Sequence, residues 1–373
     1  MTQSLVVLGA GAIGRGFLPW CFDPEQFNFV FVDANPGIVA RMKAAGSYTT
    51  FMVKDGALKP LKVRIHRALT PAEFRAAEHP DVAGVFVNVG PRNVAAVAPL
   101  VEALSCPIIL CENDPLTVDV LKHHSGLERV YFAIPDVITS NTAPAHLLAR
   151  DSLSVITEEG QLFVDEAVHG LEGKWVRCNP RELEKQWTAK LYLHNTPHCI
   201  AAYLGAWVGV EYVHEALAVA EVASVVKGAM DEMLTSLKLR WDLPHAFLEW
   251  YADKELARFC SPLLFDPIAR VAREPLRKLE LEGRLLGAAQ ICLSLGFVPT
   301  NILTGIGSAL VFDDASDADS HLTFMRRALT TSALLTHVLN LRKGEALERV
   351  LYEQFDNITG RLGKLPKRKA GAA

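Results

Sequence analysis

The chain has 373 residues, which is enough for two domains, since a single core stops growing near about 250–300 residues. Its 50% hydrophobic and 21% charged residues are typical of a soluble globular protein, and the net charge of -4 gives no reason to expect a nucleic acid partner. The longest apolar region, residues 201–226, contains Glu211, His214, Glu215 and Glu221, which argues against a membrane span.

The cysteines and the two ends of the chain indicate a reduced, cytoplasmic protein. None of the seven cysteines forms a C-x-x-C pair, so neither a disulfide framework nor a zinc site is expected. The first residues carry no basic segment of a signal peptide and lead directly into a strand pattern. The basic run at residues 364–369 is interpreted as a solvated tail.

A glycine-rich turn follows the first predicted strand. The apolar run Leu5–Leu8 is typical of a strand buried on both faces of a parallel sheet. The next residues match G-x-G-x-x-G between a strand and a helix, which is the pyrophosphate-binding pattern of dinucleotide-binding domains. The predicted cofactor contacts in this turn are Gly9, Gly11, Ala12, Ile13 and Gly14.

An acidic residue follows the second predicted strand. The run Phe27–Val32 ends at Asp33, nineteen residues after Gly14 (33 − 14), where a carboxylate binds the adenosine ribose hydroxyls. This carboxylate would repel a 2′-phosphate, and residues 34–36 offer no arginine to compensate. The sequence therefore predicts NAD as the cofactor in preference to NADP.

Three further strands are predicted at residues 84–87, 107–110 and 130–133. Each run ends in polar or turn residues, and ligands of open parallel sheets bind beyond the carboxyl ends of the strands. For Asn88 and Gly90, a simple turn and a cofactor contact are both consistent with the sequence. Residues 153–156 and 161–164 are predicted to add a small antiparallel extension to the sheet.

From about residue 180 the apolar residues recur with helical spacing. The predicted fold is α/β, with an N-terminal Rossmann-type parallel sheet domain over residues 1–184 and a C-terminal all-α domain over residues 185–373. The predicted helices of the second domain lie near residues 215–237, 244–259, 266–286 and 320–342.

The stretch from Trp187 to His198 concentrates an amine, an amide and two imidazoles. In one geometry a new helix begins at Thr196-Pro197, which resembles a helix N-cap followed by proline at the first helical position. Alternatively, one helix continues through a kink at Pro197. In either geometry Lys190, Asn195 and His198 can converge.

These three residues suit the oxidation of an alcohol beside a nicotinamide. Such a reaction needs a group that takes the alcohol proton and polar groups that hold the developing alkoxide. A buried Lys190 can act as the base, Asn195 can donate to the alkoxide, and His198 can orient the carbinol oxygen. No cluster of cysteine and histidine suggests a metal site instead.

Lys190-x4-Asn195-x2-His198 resembles the site of the polyol-specific long-chain dehydrogenases, the mannitol dehydrogenase family. Further blocks that resemble this family are residues 9–17, 46–49, 89–91, 111–113, 226–230, 258–259 and 270–279. The resemblance implies a metal-free, NAD-dependent enzyme, monomeric or homodimeric, that acts on a small polyol or ketose and needs no nucleic acid or membrane partner.

The resemblance also assigns roles to individual residues. It implies that Lys190 is the general base, that Asn195 and Asn113 stabilise the alkoxide, and that His198 contacts the substrate oxygen. Arg270 and Lys278, eight residues apart, match substrate-binding positions. The resemblance at residues 89–91 adds Val89 to the predicted cofactor contacts, which also include its neighbours Asn88 and Gly90.

Two departures leave the substrate open. Residues 135–140 lack the Asp-Arg pair of the family, and Ala189 precedes the lysine where members acting on sugar phosphates carry arginine. Both changes remove groups suited to a phosphate, although Arg270, Arg273, Arg277 and Lys278 remain available for a phosphate or a sugar-acid carboxylate.

Two alternatives follow from the residues. One is a two-domain hydroxyacid dehydrogenase. Such enzymes usually space their lysine and asparagine as Lys-x3-Asn, but the residue at that position after Lys190 is His194, which counts against this alternative. The other is a nicotinamide-binding sensor without turnover.

Overall fold

The computed structural model describes residues 3–313 and 321–365. It divides into two compact units. The first comprises the described residues up to Trp187 together with Leu263–Phe265, and the second comprises Thr188–Pro262 and the described residues from Asp266 onwards. Most of the basic tail of the sequence lies outside the described residues.

The N-terminal unit is built on one sheet, which has eleven strands in the described residues. Its strand order is β11-β10-β7-β6-β5-β1-β2-β4-β3-β9-β8. The strands are β1 (Gln3–Leu8), β2 (Phe27–Val32), β3 (Ser47–Lys54), β4 (Ala57–Leu69), β5 (Val82–Val87), β6 (Ile108–Leu110), β7 (Val130–Asp136), β8 (Thr139–Ser140), β9 (Val155–Glu158), β10 (Gln161–Asp165) and β11 (Val176–Cys178).

The six central strands, in the order β7-β6-β5-β1-β2-β4, are all parallel. This order reverses direction at β1, as in dinucleotide-binding sheets, and places ligands beyond the carboxyl ends of β1 and β5. The predicted fold class, a Rossmann-type parallel sheet with a helical second part, is confirmed.

Continuous apolar runs form the central strands because both faces of the sheet are covered. Leu5 and Val7 face one core cluster, whereas Val6 and Leu8 face another. All four side chains are at most 1% exposed. At roughly 25 cal/mol per Å² of buried apolar area, such two-sided burial dominates the stability of this unit.

The outer strands differ from the sequence prediction. The hairpin of β3 and β4, with its turn at Asp55-Gly56, was not predicted, because β4 carries charged residues at many exposed positions. The predicted antiparallel extension is correct for β10, which pairs with β7, and correct only in part for β9, which is antiparallel to β8 but parallel to β3.

The helices of both units are bounded as follows. They are α1 (Pro36–Ala45), α2 (Ala98–Val101), α3 (Thr117–Ser125), α4 (Ala145–Leu148), α5 (Pro180–Ala189), α6 (Thr196–Val208), α7 (Val213–Leu217), α8 (Ala220–Arg240), α9 (His245–Phe259), α10 (Ile268–Ala272), α11 (Pro275–Lys278), α12 (Leu286–Ser294), α13 (Thr300–Val311), α14 (His321–Ala328), α15 (Thr331–Ala333) and α16 (Ala346–Gly363).

The helix predicted over residues 266–286 is wrong, because the chain breaks there into α10 and α11. Glu274 at the break has φ 55°, and the following Pro275 disfavours the α conformation in the residue before it. The helix predicted over residues 320–342 is also interrupted, since α14 ends at Ala328 and a π-helical turn follows at Leu334–Val338. No helix in the described residues has the length and apolar character needed to cross a membrane.

Candidate active site

The glycine-rich turn lies at the carboxyl end of β1. Gly9 has φ 92°, and a Cβ atom there would overlap the backbone carbonyl of Asn88. A Cβ atom at Gly14 would overlap the carbonyl of Gly9 and the side chain of Val7. The fold itself therefore requires glycine at both positions.

Gly11 differs from these two glycines. Its φ of -79° suits any residue, and a Cβ atom there would meet no protein atom within 4 Å. The turn of π-helix that begins at Ala12 follows it, with Ile13 packed against the core. A backbone that must approach a ligand closely needs such open space, because a side chain there would keep the ligand away.

Asp33 lies beside this turn at the carboxyl end of β2. Its Oδ2 atom accepts a hydrogen bond of 2.7 Å from the Ala10 amide, and its Oδ1 atom accepts one of 2.8 Å from the Asn35 amide. Two backbone donors thus fix the carboxylate next to the glycine-rich turn.

Asn88, Val89 and Gly90 follow β5, the strand beside β1. Both polar atoms of the Asn88 amide are buried, and neither has a hydrogen-bond partner in the described part of the chain. Gly90 has φ 88°, and its amide donates a hydrogen bond of 2.9 Å to the carboxylate of buried Glu112. Gly90 therefore forms a turn, whereas the buried amide of Asn88 leaves its hydrogen-bonding capacity unused by the described residues.

Asn113 lies in the segment after β6, and its side chain is exposed. It belongs to the N-terminal unit, whereas Lys190, Asn195, His198, Arg270 and Lys278 belong to the helical unit. The structure thus divides the predicted site residues between its two units.

The helical unit presents its polar residues on one irregular turn. After α5 the chain does not stop but continues through a π-helical turn, Lys190–Asn195, directly into α6. Of the two geometries that the sequence left open, the continuing helix is the one observed and the N-cap at Thr196 is not, because Thr196 is helical and its hydroxyl donates to the carbonyls of Leu191 and Arg284 at 3.2 and 2.6 Å. Such π-turns occur frequently at functional sites.

Lys190, Asn195 and His198 are all buried, with exposed fractions of 5–7%. The Nδ2 atom of Asn195 has no hydrogen-bond partner among the described residues. An unsatisfied buried donor costs about 1–3 kcal/mol, which an acceptor oxygen of a ligand would recover.

His198 is held by a carboxylate from a distant part of the chain. Its Nε2 atom lies 2.8 Å from Oδ2 of Asp266, and Oδ1 of Asp266 accepts two hydrogen bonds from Arg270. Burial alone would raise the pKa of Asp266, but Arg270 and His198 outweigh it and lower the pKa to about 2. An ionised Asp266 accepts only, so Nε2 donates and Nδ1 of a neutral His198 remains an acceptor.

A second pair of histidine and carboxylate lies beside the first. Nδ1 of His194 is bonded to Oε2 of Glu255, a fully buried residue that also pairs with Arg258. The ring centroids of His194 and His198 are 5.0 Å apart, and the Phe259 ring stacks on His198 at 5.0 Å. The aromatic ring and the two carboxylates fix both imidazoles.

Lys278, the second predicted substrate residue, is 4% exposed. Its ammonium donates to the carbonyl of Arg273 and lies 5.7 Å from the centroid of the Tyr203 ring. Burial, followed by the charge of Arg284, lowers the pKa of Lys278 well below its usual value. Arg270, in contrast, is held on Asp266 near His198.

Comparisons with known proteins show the family of both parts of the chain. A model of the mannitol dehydrogenase Rossmann domain matches residues 3–127, and a model of the mannitol dehydrogenase C-terminal domain matches residues 182–351. A protein of an Arthrobacter species named mannitol-1-phosphate 5-dehydrogenase is 30% identical over 92% of this chain and 95% of its own length. The chain belongs to the mannitol dehydrogenase family.

Two further proteins illustrate the range of similarity. A mannitol-1-phosphate 5-dehydrogenase of Pseudarthrobacter chlorophenolicus is 31% identical over 84% of this chain and 87% of its own. Mannitol 2-dehydrogenase of Pseudomonas fluorescens, solved as a ternary complex with NAD and D-mannitol, superposes with a TM-score of 0.75. It is 16% identical over 97% of this chain and 94% of that chain, so this likeness concerns the fold.

Membership of the mannitol dehydrogenase family confirms the predicted class of enzyme, an oxidoreductase acting on CH–OH groups. Within the described residues, no group of three or more His, Cys, Asp or Glu side chains is arranged to hold a metal ion. The sequence analysis missed Asp266 and Glu255, which follow their histidine partners by 68 and 61 residues. A fixed local spacing could not have revealed them.

Proposed function

We propose that this protein is an NAD-dependent, metal-independent dehydrogenase that interconverts a polyol, or a polyol phosphate, and its ketose. The observation that carries the proposal is the π-helical turn of residues 190–195. It buries an amine and an unpartnered amide donor one turn before a histidine whose orientation is fixed by a carboxylate.

Lys190 is the proposed general acid and base. In the oxidative direction the carbinol loses a hydride from carbon and a proton from oxygen, and Lys190 in its amine form takes the proton. Bound NAD supplies the hydride acceptor. The buried position of Lys190 favours this role, because low polarity disfavours the ammonium form.

Asn195 and His198 are proposed to hold the reacting oxygen. The unpartnered Nδ2 atom of Asn195 can donate to an alkoxide without adding a charge to the site. Asp266 fixes the ring of His198 through Nε2, so that Nδ1 is the atom available to the substrate. We propose that Asn113 also contributes to the alkoxide and that Arg270 contributes to substrate binding, as the family resemblance implies.

The N-terminal unit is proposed to hold the cofactor. The predicted contacts Gly9, Gly11, Ala12, Ile13 and Gly14 form the turn at β1, and the open space above Gly11 is proposed to receive the pyrophosphate. Asp33 is proposed to bind the ribose hydroxyls and to disfavour NADP, and Asn88, with Val89 and Gly90, to contact the nicotinamide side.

The substrate class rests on the relatives. Both sequence relatives described above are named mannitol-1-phosphate 5-dehydrogenases, and the solved mannitol 2-dehydrogenase holds D-mannitol. A sugar-acid ketose such as fructuronate or tagaturonate is the second candidate, because the cations of Arg277 and Lys278 also suit a carboxylate. The protein is further proposed to be cytoplasmic and monomeric or homodimeric.

The test follows NADH absorbance with fructose 6-phosphate, fructose, fructuronate and tagaturonate. The wild-type protein should oxidise NADH with at least one of them. Lys190→Ala should lower kcat by about 10²–10⁴-fold, since it removes the proton carrier. Added primary amines should restore part of the lost rate.

Lys343→Ala is the matched control, because Lys343 is an exposed lysine of the same unit. It should keep wild-type kcat, and Lys190→Ala should keep NADH binding as measured by fluorescence. If Lys190→Ala retained more than about a tenth of the wild-type kcat, the general-base assignment would be wrong. NADH binding by the wild type without turnover of any ketose would instead support a sensor.

A further inference from the structure

Three cationic side chains surround a buried tyrosine in the helical unit. We call Arg277, Lys278, Arg284 and Tyr203 the cationic cluster. The Lys278 ammonium lies 5.7 Å from the centroid of the Tyr203 ring. The charges of Arg277 and Arg284 influence the pKa of Lys278 and the pKa of Tyr203.

The cluster contains polar groups that the protein does not satisfy. The Tyr203 hydroxyl is buried and has no hydrogen-bond partner in the described ranges, 3–313 and 321–365. The guanidinium of Arg284 has neither a hydrogen bond nor an ion pair with any residue of those ranges. Burial of such groups without partners costs free energy, and a ligand that accepts hydrogen bonds would recover it.

The charges of the cluster are incompletely balanced. Glu274 pairs with Arg277 through two hydrogen bonds of 3.0 and 2.8 Å. The guanidinium groups of Arg277 and Arg284 and the buried amine of Lys278 therefore share this one carboxylate. Burial and the charge of Arg284 lower the pKa of Lys278 well below its usual value, as expected for cations that lack an anion.

The cluster is attached to the turn that carries Lys190. The Thr196 hydroxyl bridges the carbonyl of Leu191, within the π-helical turn, and the carbonyl of Arg284, at 3.2 and 2.6 Å. Cys199, one residue after His198, is also within the field of Arg284 and Lys278. The cationic cluster therefore adjoins the residues proposed to hold the reacting oxygen.

We propose that the cationic cluster binds the phosphate group of a phosphorylated ketose or polyol, with Arg284 and the Tyr203 hydroxyl as its specificity-determining residues. This inference rests on the proposed dehydrogenase function and assigns its substrate class. A phosphate group offers enough oxygens for an arginine fork, an amine and a hydroxyl together. A carboxylate offers only two oxygens to the same donors.

A phosphate site at the cationic cluster accounts for the absence of an arginine before Lys190. Ala189 stands where family members that act on sugar phosphates carry an arginine. The cluster supplies two guanidinium groups from other positions, Arg277 and Arg284, so the substrate phosphate does not depend on residue 189.

The experiment compares Arg284→Gln with wild type on fructose 6-phosphate and on fructose. Arg284→Gln should raise KM for fructose 6-phosphate about 10- to 100-fold, because it removes one or two charge-assisted hydrogen bonds to the phosphate. Its kcat with that substrate, and its kcat/KM for fructose, should stay within about 3-fold. Tyr203→Phe should raise the same KM about 3- to 10-fold, and Arg342→Gln, at an exposed arginine, should change nothing.

Calorimetry with inorganic phosphate tests the cluster without turnover. Wild type should bind phosphate competitively with fructose 6-phosphate, and Arg284→Gln should bind it at least about 10-fold more weakly. An equal loss on fructose and fructose 6-phosphate would overturn the proposal and indicate a structural role. A loss confined to fructuronate would overturn it in favour of a carboxylate. If no ketose is reduced but phosphate binding depends on Arg284, the proposed function fails and the anion site stands.

Discussion

Asp266 joins two predicted site residues, because its carboxylate accepts from His198 on one oxygen and from Arg270 on the other. Its pKa, lowered from 3.8 to about 2, gives the folded state an advantage that is present above pH 4 and is lost as the pH falls through about 2. Asp266→Asn should therefore lower the free energy of unfolding at pH 7 by on the order of 2 kcal/mol. Urea unfolding of both proteins between pH 2 and 7 should show that this difference in the free energy of unfolding disappears between about pH 4 and 2.

Asp55→Asn provides the control for this change. Asp55 is exposed at the tip of the β3–β4 hairpin and has φ 52°, a conformation that asparagine adopts readily. The free energy of unfolding of Asp55→Asn should differ from that of wild type by less than about 0.5 kcal/mol at any pH. A gap between wild type and Asp266→Asn that stayed constant down to pH 2 would mean that the carboxylate charge is not the cause.

At the scale of elements, the glycine-rich turn separates what folding requires from what binding requires. Gly11→Ala places a methyl group in open space at an ordinary φ, so the melting temperature should stay within about 2 °C of wild type. NADH binding should weaken at least about 10-fold, because that space is proposed to receive the pyrophosphate. Thermal melting and NADH fluorescence titration measure the two effects.

Two other glycines serve as comparisons. Gly9→Ala should lose stability, by about 1 kcal/mol or more, together with NADH binding, since φ is 92° and the methyl group would overlap the carbonyl of Asn88. Gly360→Ala in α16, where a Cβ atom also meets nothing, should keep NADH binding unchanged. Undiminished binding of NADH by Gly11→Ala would remove the support for a cofactor at this turn.

The turn of residues 190–195 shows why element boundaries were only partly predictable. The motif placed Lys190, Asn195 and His198 together, but Thr196-Pro197 suggested a helix start. The structure instead continues the helix through a π-turn, in which the Thr196 hydroxyl bonds to the carbonyls of Leu191 and Arg284. Arg284 is 88 residues away from Thr196, so the local sequence could not reveal that the Thr196 hydroxyl bonds to this carbonyl instead of capping a new helix.

At the scale of the whole molecule, no disulfide joins any of the seven cysteines, all of which lie in the described residues, and Cys260 is exposed while the other six are buried. Burial raises the pKa of Cys21 to about 12 and of Cys199 to about 11, which keeps these thiols protonated and unreactive. Iodoacetamide at pH 8 should therefore modify one thiol of the native protein rapidly and all seven after denaturation.

Cys260→Ser should abolish the rapid reaction, and intact mass spectrometry counts the modified thiols. This variant should keep the activity of wild type, since Cys260 lies at the end of α9 and is a member of neither His–carboxylate pair. Rapid labelling of two or more thiols in the native wild type would contradict the burial described for the other six.

The sequence by itself determined the elements whose signals are local. The run Leu5–Leu8, the glycine pattern after it and Asp33 identified the dinucleotide-binding half, because the turn, the strand and the carboxylate lie within about thirty residues. The spacing from Lys190 to His198 likewise lies within a few helical turns.

Only the tertiary structure decided which distant residues complete these sites. Asp266 reaches His198 across 68 residues, and the cationic cluster gathers Tyr203 with Arg284 across 81 (284 − 203). Hydrogen bonds and charges act between atoms a few ångströms apart, whatever their separation along the chain. Partners brought together by packing therefore leave no periodic signal, whereas turns and helices do.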